Sequence, residues 1–340
     1  HINEDLIVPM KFGSSSLRTV IFFMSSACML IIGCSDEDSV VKFSDDSSLS
    51  ESEVLSREAK SGNQTLSDGS VYEGEMLTGK PHGYGERKFQ NGDIYEGQFE
   101  KGMSHGHGTF RYKGDDFLDR YVGMWSSDKW NGYGTLVLKD GSRVTGQWMK
   151  NRLEYGDYEG SDGSIRSGKW RGDWEFLEEG FSKDAFGSEF NGLFNNDGSY
   201  RKGFIKNPNG DLYAGNFIAN IYHGKGILEK SDGSLYVGTF EDNEFSGSGM
   251  LISSDGSKYI GQFLGGLPDG YGVEEQVGGV QYFGSWSQGL KQGSGTVDFG
   301  NGASYIGEFR NGLAFDGKYD WGDGRITDSY QDESGNWLDR

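Results

Sequence analysis

One pattern constrains this chain more than any other: from Tyr72 onward the same unit restarts at Tyr72, Tyr95, Tyr121, Val144, Arg166, Phe190, Tyr213, Tyr236, Tyr259, Tyr282 and Tyr305. Most intervals are 23 residues, and one is stretched to 26 by the segment around residues 115–119. A repeat of this length is one supersecondary element that cannot bury its own apolar face, so neighbouring units must stack. The period therefore predicts a single long array in place of a globular core.

Two residues past every start stands a glycine, from Gly74 and Gly97 through to Gly284 and Gly307. Four past the start comes Met76 in the first copy, then Phe99, Trp125, Trp148, Trp170, Phe194, Phe217, Phe240, Phe263, Trp286 and Phe309. Start, glycine and aromatic share parity, so on a strand they point to one face. That face is predicted to be an aromatic ladder in which each glycine leaves a slot and a ring from a neighbouring strand lies over it.

Seven past the start only Gly, Asp or Asn occurs, and these are the residues that enter left-handed backbone cheaply. A tight turn with positive φ is expected there, including at Asp173 and Asp197. Before most starts lies a second turn dipeptide, such as Asp68-Gly69, Asn91-Gly92, Asp232-Gly233 or Asn301-Gly302, of the kind that closes two-residue hairpins. Each copy then reads as one β-hairpin. With 8 Trp, 18 Tyr and 22 Phe the chain is too aromatic for disorder, and 57 Gly beside 4 Pro suits turns and slots.

Seven copies also carry Gly-x-Gly at the entry of the second strand, beginning at Gly83, Gly106, Gly132, Gly224, Gly247, Gly270 and Gly293. Tyr-x-Gly-x-aromatic, a turn, Gly-x-Gly and then Asp/Asn-Gly together resemble the MORN (membrane occupation and recognition nexus) repeat over residues 72 to about 327. The resemblance implies an all-β fold: an elongated single-sheet antiparallel meander of about eleven hairpins, with some 22 strands running on the order of 100 Å. The copies at Val144, Arg166, Phe190 and Tyr305 depart from the pattern at the Gly-x-Gly position, which predicts a local bend or bulge.

Outside the array (68–327) the sequence divides into four parts. Residues 1–9 precede Met10 and read as upstream material. Met10 to Gly33 reads as a secretory leader, with Lys11 and Arg18 before an apolar stretch too short to span a bilayer. Ile31-Ile32-Gly33-Cys34 resembles the bacterial lipobox, which implies that Cys34 carries lipid, anchors the chain to the cell envelope facing periplasm or exterior, and leaves no cysteine pair for a disulfide. Residues 34–67, rich in Ser, Asp and Glu, are expected to be a disordered tether, and residues 328–340 a C-terminal tail.

The formal charge is −20, from 52 acidic and 32 basic residues. Nucleic-acid affinity rests on Lys and Arg neutralising phosphates, so no nucleic-acid partner is expected. Gly74 to Gly79-Lys80 approaches a phosphate-binding loop, but Pro81 stands where a hydroxyl must hold Mg²⁺. His82, His105 and His223 share one polar slot of the repeat and are too far apart to ligate together; His105 and His107 are at best neighbours on one strand. No paired carboxylates or nucleophile–base set stands out, so neither enzyme activity nor a metal or cofactor is expected.

The leading reading is a lipid-anchored scaffold that binds protein, itself or a partner. Its expected surface is the face opposite the ladder in the C-terminal half, where Val237, Ile260, Phe283 and Ile306 replace the Glu73 and Glu96 of early copies. One alternative is glycan or cell-wall binding by exposed Trp and Tyr. A second is phosphoinositide binding by the repeats, which the charge opposes.

Overall fold

A computed structural model describes residues 60–171 and 176–340. The leader, Cys34 and most of the expected tether lie outside the described residues, as does the turn expected at Asp173. The described chain forms 25 strands, and each pairs antiparallel with its neighbours in sequence. The first, β1 (Lys60–Thr65), pairs with β2 (Val71–Leu77), and the last, β25 (Trp337–Asp339), pairs with β24 (Ile326–Gln331), so the sheet is open. The expected all-β antiparallel meander is what the sequence forms.

What fixes the register is a row of glycines. Gly62 on β1 pairs with Gly74 on β2, Gly74 with Gly85 on β3 (Lys80–Lys88), Gly85 with Gly97 on β4 (Ile94–Glu100), and Gly97 with Gly108 on β5 (Met103–Arg111). The same rung continues on every strand to Gly317 on β23 (Leu313–Asp320), and on β24 it ends at buried Ser329. A Cβ at Gly97 would lie 2.4 Å from the Gly108 Cα and 2.8 Å from the Tyr95 hydroxyl. Glycine is required because paired backbones and a ring occupy that space.

Where the start is aromatic, the ring over the slot belongs to the start of the same hairpin. Tyr72 covers both Gly74 on its own strand and Gly85 opposite, and Tyr95, Tyr121, Tyr213, Tyr236, Tyr259, Tyr282 and Tyr305 repeat the arrangement. Each of these hydroxyls donates to the carbonyl three residues on, as in Tyr72 to Glu75 (2.7 Å) and Tyr236 to Thr239 (3.0 Å). The expectation of a neighbouring strand's ring thus holds for one glycine of each pair and fails for the other.

Gly-x-Gly has two separate causes. Its second glycine is the rung residue; its first has positive φ, for example 65° at Gly83 and 58° at Gly247, and forms a bulge in the second strand. The two turns also differ in kind. At Thr78-Gly79, Lys101-Gly102 and Asp242-Asn243 both residues have positive φ, as a two-residue type I′ hairpin requires. At Asp68-Gly69 only the glycine does, and Gly69 N–H donates to Leu66 while Leu66 N–H donates to Ser70.

That second turn is therefore a type I turn closed by a left-handed glycine, which corrects the two-residue reading. The aspartate is there to accept the Ser70 N–H (3.0 Å) and hydroxyl (2.6 Å) on its carboxylate. Asp197 also belongs to this class, with Gly198 the positive-φ residue, so the positive φ expected at Asp197 is not found.

Both ends of the array extend past the expected boundaries. Residues 60–65, assigned to the tether, form β1, because Gly62 continues the glycine rung and an outermost polar strand needs no apolar side chains. Residues 328–340 are not a tail: Trp337 on β25 packs 4.9 Å from Tyr305 and 4.7 Å from Tyr319, covering the last start tyrosine, Tyr305, where a further repeat would otherwise place its ring.

Candidate functional site

The two faces of the sheet divide the sequence-predicted residues sharply. On one face the ladder residues Tyr72, Tyr95, Phe99, Tyr121, Trp125, Trp148, Trp170, Phe194, Tyr213, Phe217, Tyr236, Phe240, Tyr259, Phe263, Tyr282, Trp286, Tyr305 and Phe309 are all buried. Between the first and last copies each start ring meets the aromatic of its own and of the next hairpin edge-on: Tyr236 lies 5.1 Å from Phe240 and 5.1 Å from Phe263. Such pairs contribute about 0.5–1.5 kcal/mol each beyond area burial. The chain of rings breaks between Trp148 and Phe190, where Val144 and Arg166 hold the start positions.

A third ring position escaped the sequence reading. Trp130, Tyr200, Tyr222 and Phe245 stack flat on Tyr121, Phe190, Tyr213 and Tyr236, at 3.8–4.4 Å and 8–10° between planes. In the copy from Tyr282 the Lys291 ammonium takes that place, 4.9 Å from the ring. The position holds Pro81, Ser104 and Pro268 in other copies, so residue type alone did not expose it.

Burial keeps the ladder hydroxyls protonated. It pushes Tyr72, Tyr259 and Tyr305 up to about 12 and raises Tyr95, Tyr121, Tyr213 and Tyr282 as well. The unfolded phenol titrates near 10, so this stability is complete below pH 10 and is lost as pH rises towards 12. The tyrosinate absorbance of the ladder is expected to rise together with loss of the β circular dichroism. Ladder tyrosines titrating at their ordinary value in an intact sheet, followed by ring-carbon NMR, would contradict this.

On the opposite face the residue after each start forms its own row. Near the N-terminal end Glu73, Glu86 and Glu96 stand in register. From β13 (Tyr200–Lys206) to β22 (Ser304–Arg310) the row becomes Phe204, Ala214, Ile227, Val237, Met250, Ile260, Val273, Phe283, Thr296 and Ile306, each the register partner of the next. No member is charged or buried; Ile260 is 56% and Ile306 63% exposed, and Val237 is half-buried. Val237, Ile260, Phe283 and Ile306 thus belong to one continuous surface, and their strand partners, invisible to a count of repeat positions, complete it.

The remaining candidates do not converge. Gly74 to Lys80 is a strand and hairpin turn. The nearest charged partner of His105 is Glu100, at 3.4 Å. Among the described residues no three His, Cys, Asp or Glu side chains gather as for a metal, and no helix is long and apolar enough to cross a membrane. Glycan binding by exposed Trp and Tyr cannot use the ladder, whose Trp and Tyr are buried against one another.

The family model described as "MORN repeat" matches residues 72–94, 95–116, 121–143, 213–235, 236–258, 259–279, 282–304 and 305–314. The hairpins starting at Val144, Arg166 and Phe190 fall outside those segments and include the break in the ring chain, yet they keep the glycine rung. Comparison with curated protein sequences gives no match. Among solved structures, the chain is similar to the SAS-4 (dCPAP) TCP domain of Drosophila melanogaster in complex with a proline-rich motif of Ana2 (14% identity, 51% of this chain and 96% of that one, TM-score 0.26). It is also similar to the TCP10 domain of Danio rerio CPAP, alone (9%, 78% and 98%, TM-score 0.21) and with a peptide of Danio rerio STIL (11%, 82% and 97%, TM-score 0.20).

Proposed function

Because the chain is a MORN-repeat protein, we propose that it is a non-catalytic scaffold holding a protein partner against the face opposite its rings, between β13 and β22. The observation that carries this reading is the uncharged row from Phe204 to Ile306, open to solvent in a chain of charge −20. Ten strands at about 4.8 Å make a row roughly 45 Å long. With its flanks that is enough for an ordinary interface of about 800 Å² per partner. Glu73, Glu86 and Glu96 confine the partner to the C-terminal half, since taking three adjacent carboxylates out of water is costly. Lipid on Cys34 tethers the scaffold to the cell envelope.

Affinity capture from the native membrane, with Val237, Ile260, Phe283 and Ile306 all changed to Ala, tests the surface. These side chains are exposed or half-buried, so the variant folds, and the partner recovered with the unaltered chain is expected to be lost. Undiminished capture sinks the proposal. A second copy is the partner if the mass in solution doubles and returns to one chain in the variant. Separately, Cys34→Ser is expected to move the protein from the membrane to the soluble fraction.

A further inference from the structure

Apart from the apolar row, the face opposite the ladder carries a second, chemically different row in its N-terminal half. Tyr84, His107, Tyr133 and Tyr155 stand on alternate strands from β3 to β9 (Arg152–Glu159), and all four are exposed: Tyr84 55%, Tyr133 59% and Tyr155 57%. Their places follow from the repeat. Tyr84, His107 and Tyr133 lie between the two glycines of Gly-x-Gly, and Tyr155 directly precedes Gly156. The rung glycine faces the ladder, so the residue before it faces away.

The strands between supply mainly amides. Tyr84 is the register partner of Gln98, His107 of Met124, and Tyr133 of Gln147, which is in turn the partner of Tyr155. The Gln98 Oε1 accepts the His107 N–H (2.7 Å), which pins that amide beside the row, while among the described residues the exposed Gln147 amide has no partner. Strands lie about 4.8 Å apart, so exposed aromatic rings recur at about 9.6 Å, with a hydrogen-bonding amide between the first pair and between the last.

We propose that this row binds an extended, uncharged β-1,4-linked polysaccharide. The spacing of the rings is close to the advance of one disaccharide along such a chain, so every second sugar meets a ring and an amide, where one lies between, reaches the intervening hydroxyls. The charge selects among ligands that stack on rings. Single-stranded nucleic acid needs a basic groove, whereas Glu86 and Glu96 occupy the adjacent rung and the Tyr84 hydroxyl donates to Glu96 (3.5 Å). An uncharged glycan tolerates those carboxylates and can donate hydroxyls to them.

The test uses the full chain with cellulose and chitin as pull-down matrices, and with β-1,4-linked hexasaccharides of glucose and of N-acetylglucosamine in calorimetry. The expected result is binding to at least one of these, weakened at least about tenfold in the Tyr133→Ala/Tyr155→Ala variant and largely kept in Tyr133→Phe/Tyr155→Phe. Circular dichroism establishes that the variants fold. No binding to any of the four, undiminished binding without the rings, or tighter binding to a single-stranded oligonucleotide than to any glycan would each overturn the proposal. The Val237, Ile260, Phe283 and Ile306 alanine variant should bind glycan normally, which separates this row from the protein-binding one.

Discussion

Gly97→Ala is expected to destabilise the array by about 3 kcal/mol or more, the upper part of the range for overpacking a closed site. The added methyl would lie 2.4 Å from the Gly108 Cα and 2.7 Å from the His107 carbonyl oxygen. Both obstacles are backbone, and both are held by the strand pairing that the substitution would have to break. Repeat arrays transmit stability only between neighbours, so denaturant unfolding followed by circular dichroism should gain a separate early transition for the hairpins around β4 and β5. Gly102→Ala is the comparison. That glycine has φ of 93° and open space around its Cβ position, so only left-handed strain remains, about 1–2 kcal/mol. Equal losses from the two substitutions would refute the claim that the glycine rung is set by steric closure.

The second large effect falls on the rings. Tyr236→Ala removes a fully buried side chain that stacks on Phe245 and meets Phe240 and Phe263 edge-on, and it uncovers Gly238 and Gly249 together. Deletion of a buried aromatic on this scale costs about 3–5 kcal/mol. Tyr236→Phe keeps the cover and loses only the hydroxyl bond to Thr239, so its cost should be about 1 kcal/mol. Phe190 shows that the arrangement exists without a hydroxyl: its ring already lies over Gly192 and Gly203 and stacks on Tyr200. Chemical denaturation of the two variants side by side checks the ordering, and a phenylalanine as damaging as alanine would place the stability in the hydroxyl instead of the ring.

Most of this fold was legible because it is periodic. Start, glycine and aromatic share parity, and that alone assigns a face to each of them without knowledge of the third dimension. What escaped was what the period does not carry. Gly62 and Trp337 lie outside the counted copies, so the first strand and the closing ring were read as tether and tail. The flat-stacked position at Trp130, Tyr222 and Phe245 escaped because Pro81, Ser104 and Lys291 hold it elsewhere.

The candidate surfaces were half legible for a related reason. Val237, Ile260, Phe283 and Ile306 recur at the repeat period and could be listed, but Met250 and Val273 sit between them only once the strands are paired. The row from Tyr84 to Tyr155 has the parity of the outer face, but the same slot holds Lys225, Ser248 and Ser294 in other copies, so residue type alone did not single it out.

Since each strand pairs only with those that adjoin it in the chain, and each start ring reaches no further than the hairpin that follows, the length of the array is a free quantity. Copying or deleting one unit would leave an unaltered junction on either side, with the same bare carbon meeting the same ring. A molecule built in this way can be lengthened by unequal exchange within its gene and remain foldable at every step, so the distance it spans can be adjusted without redesign of its interior.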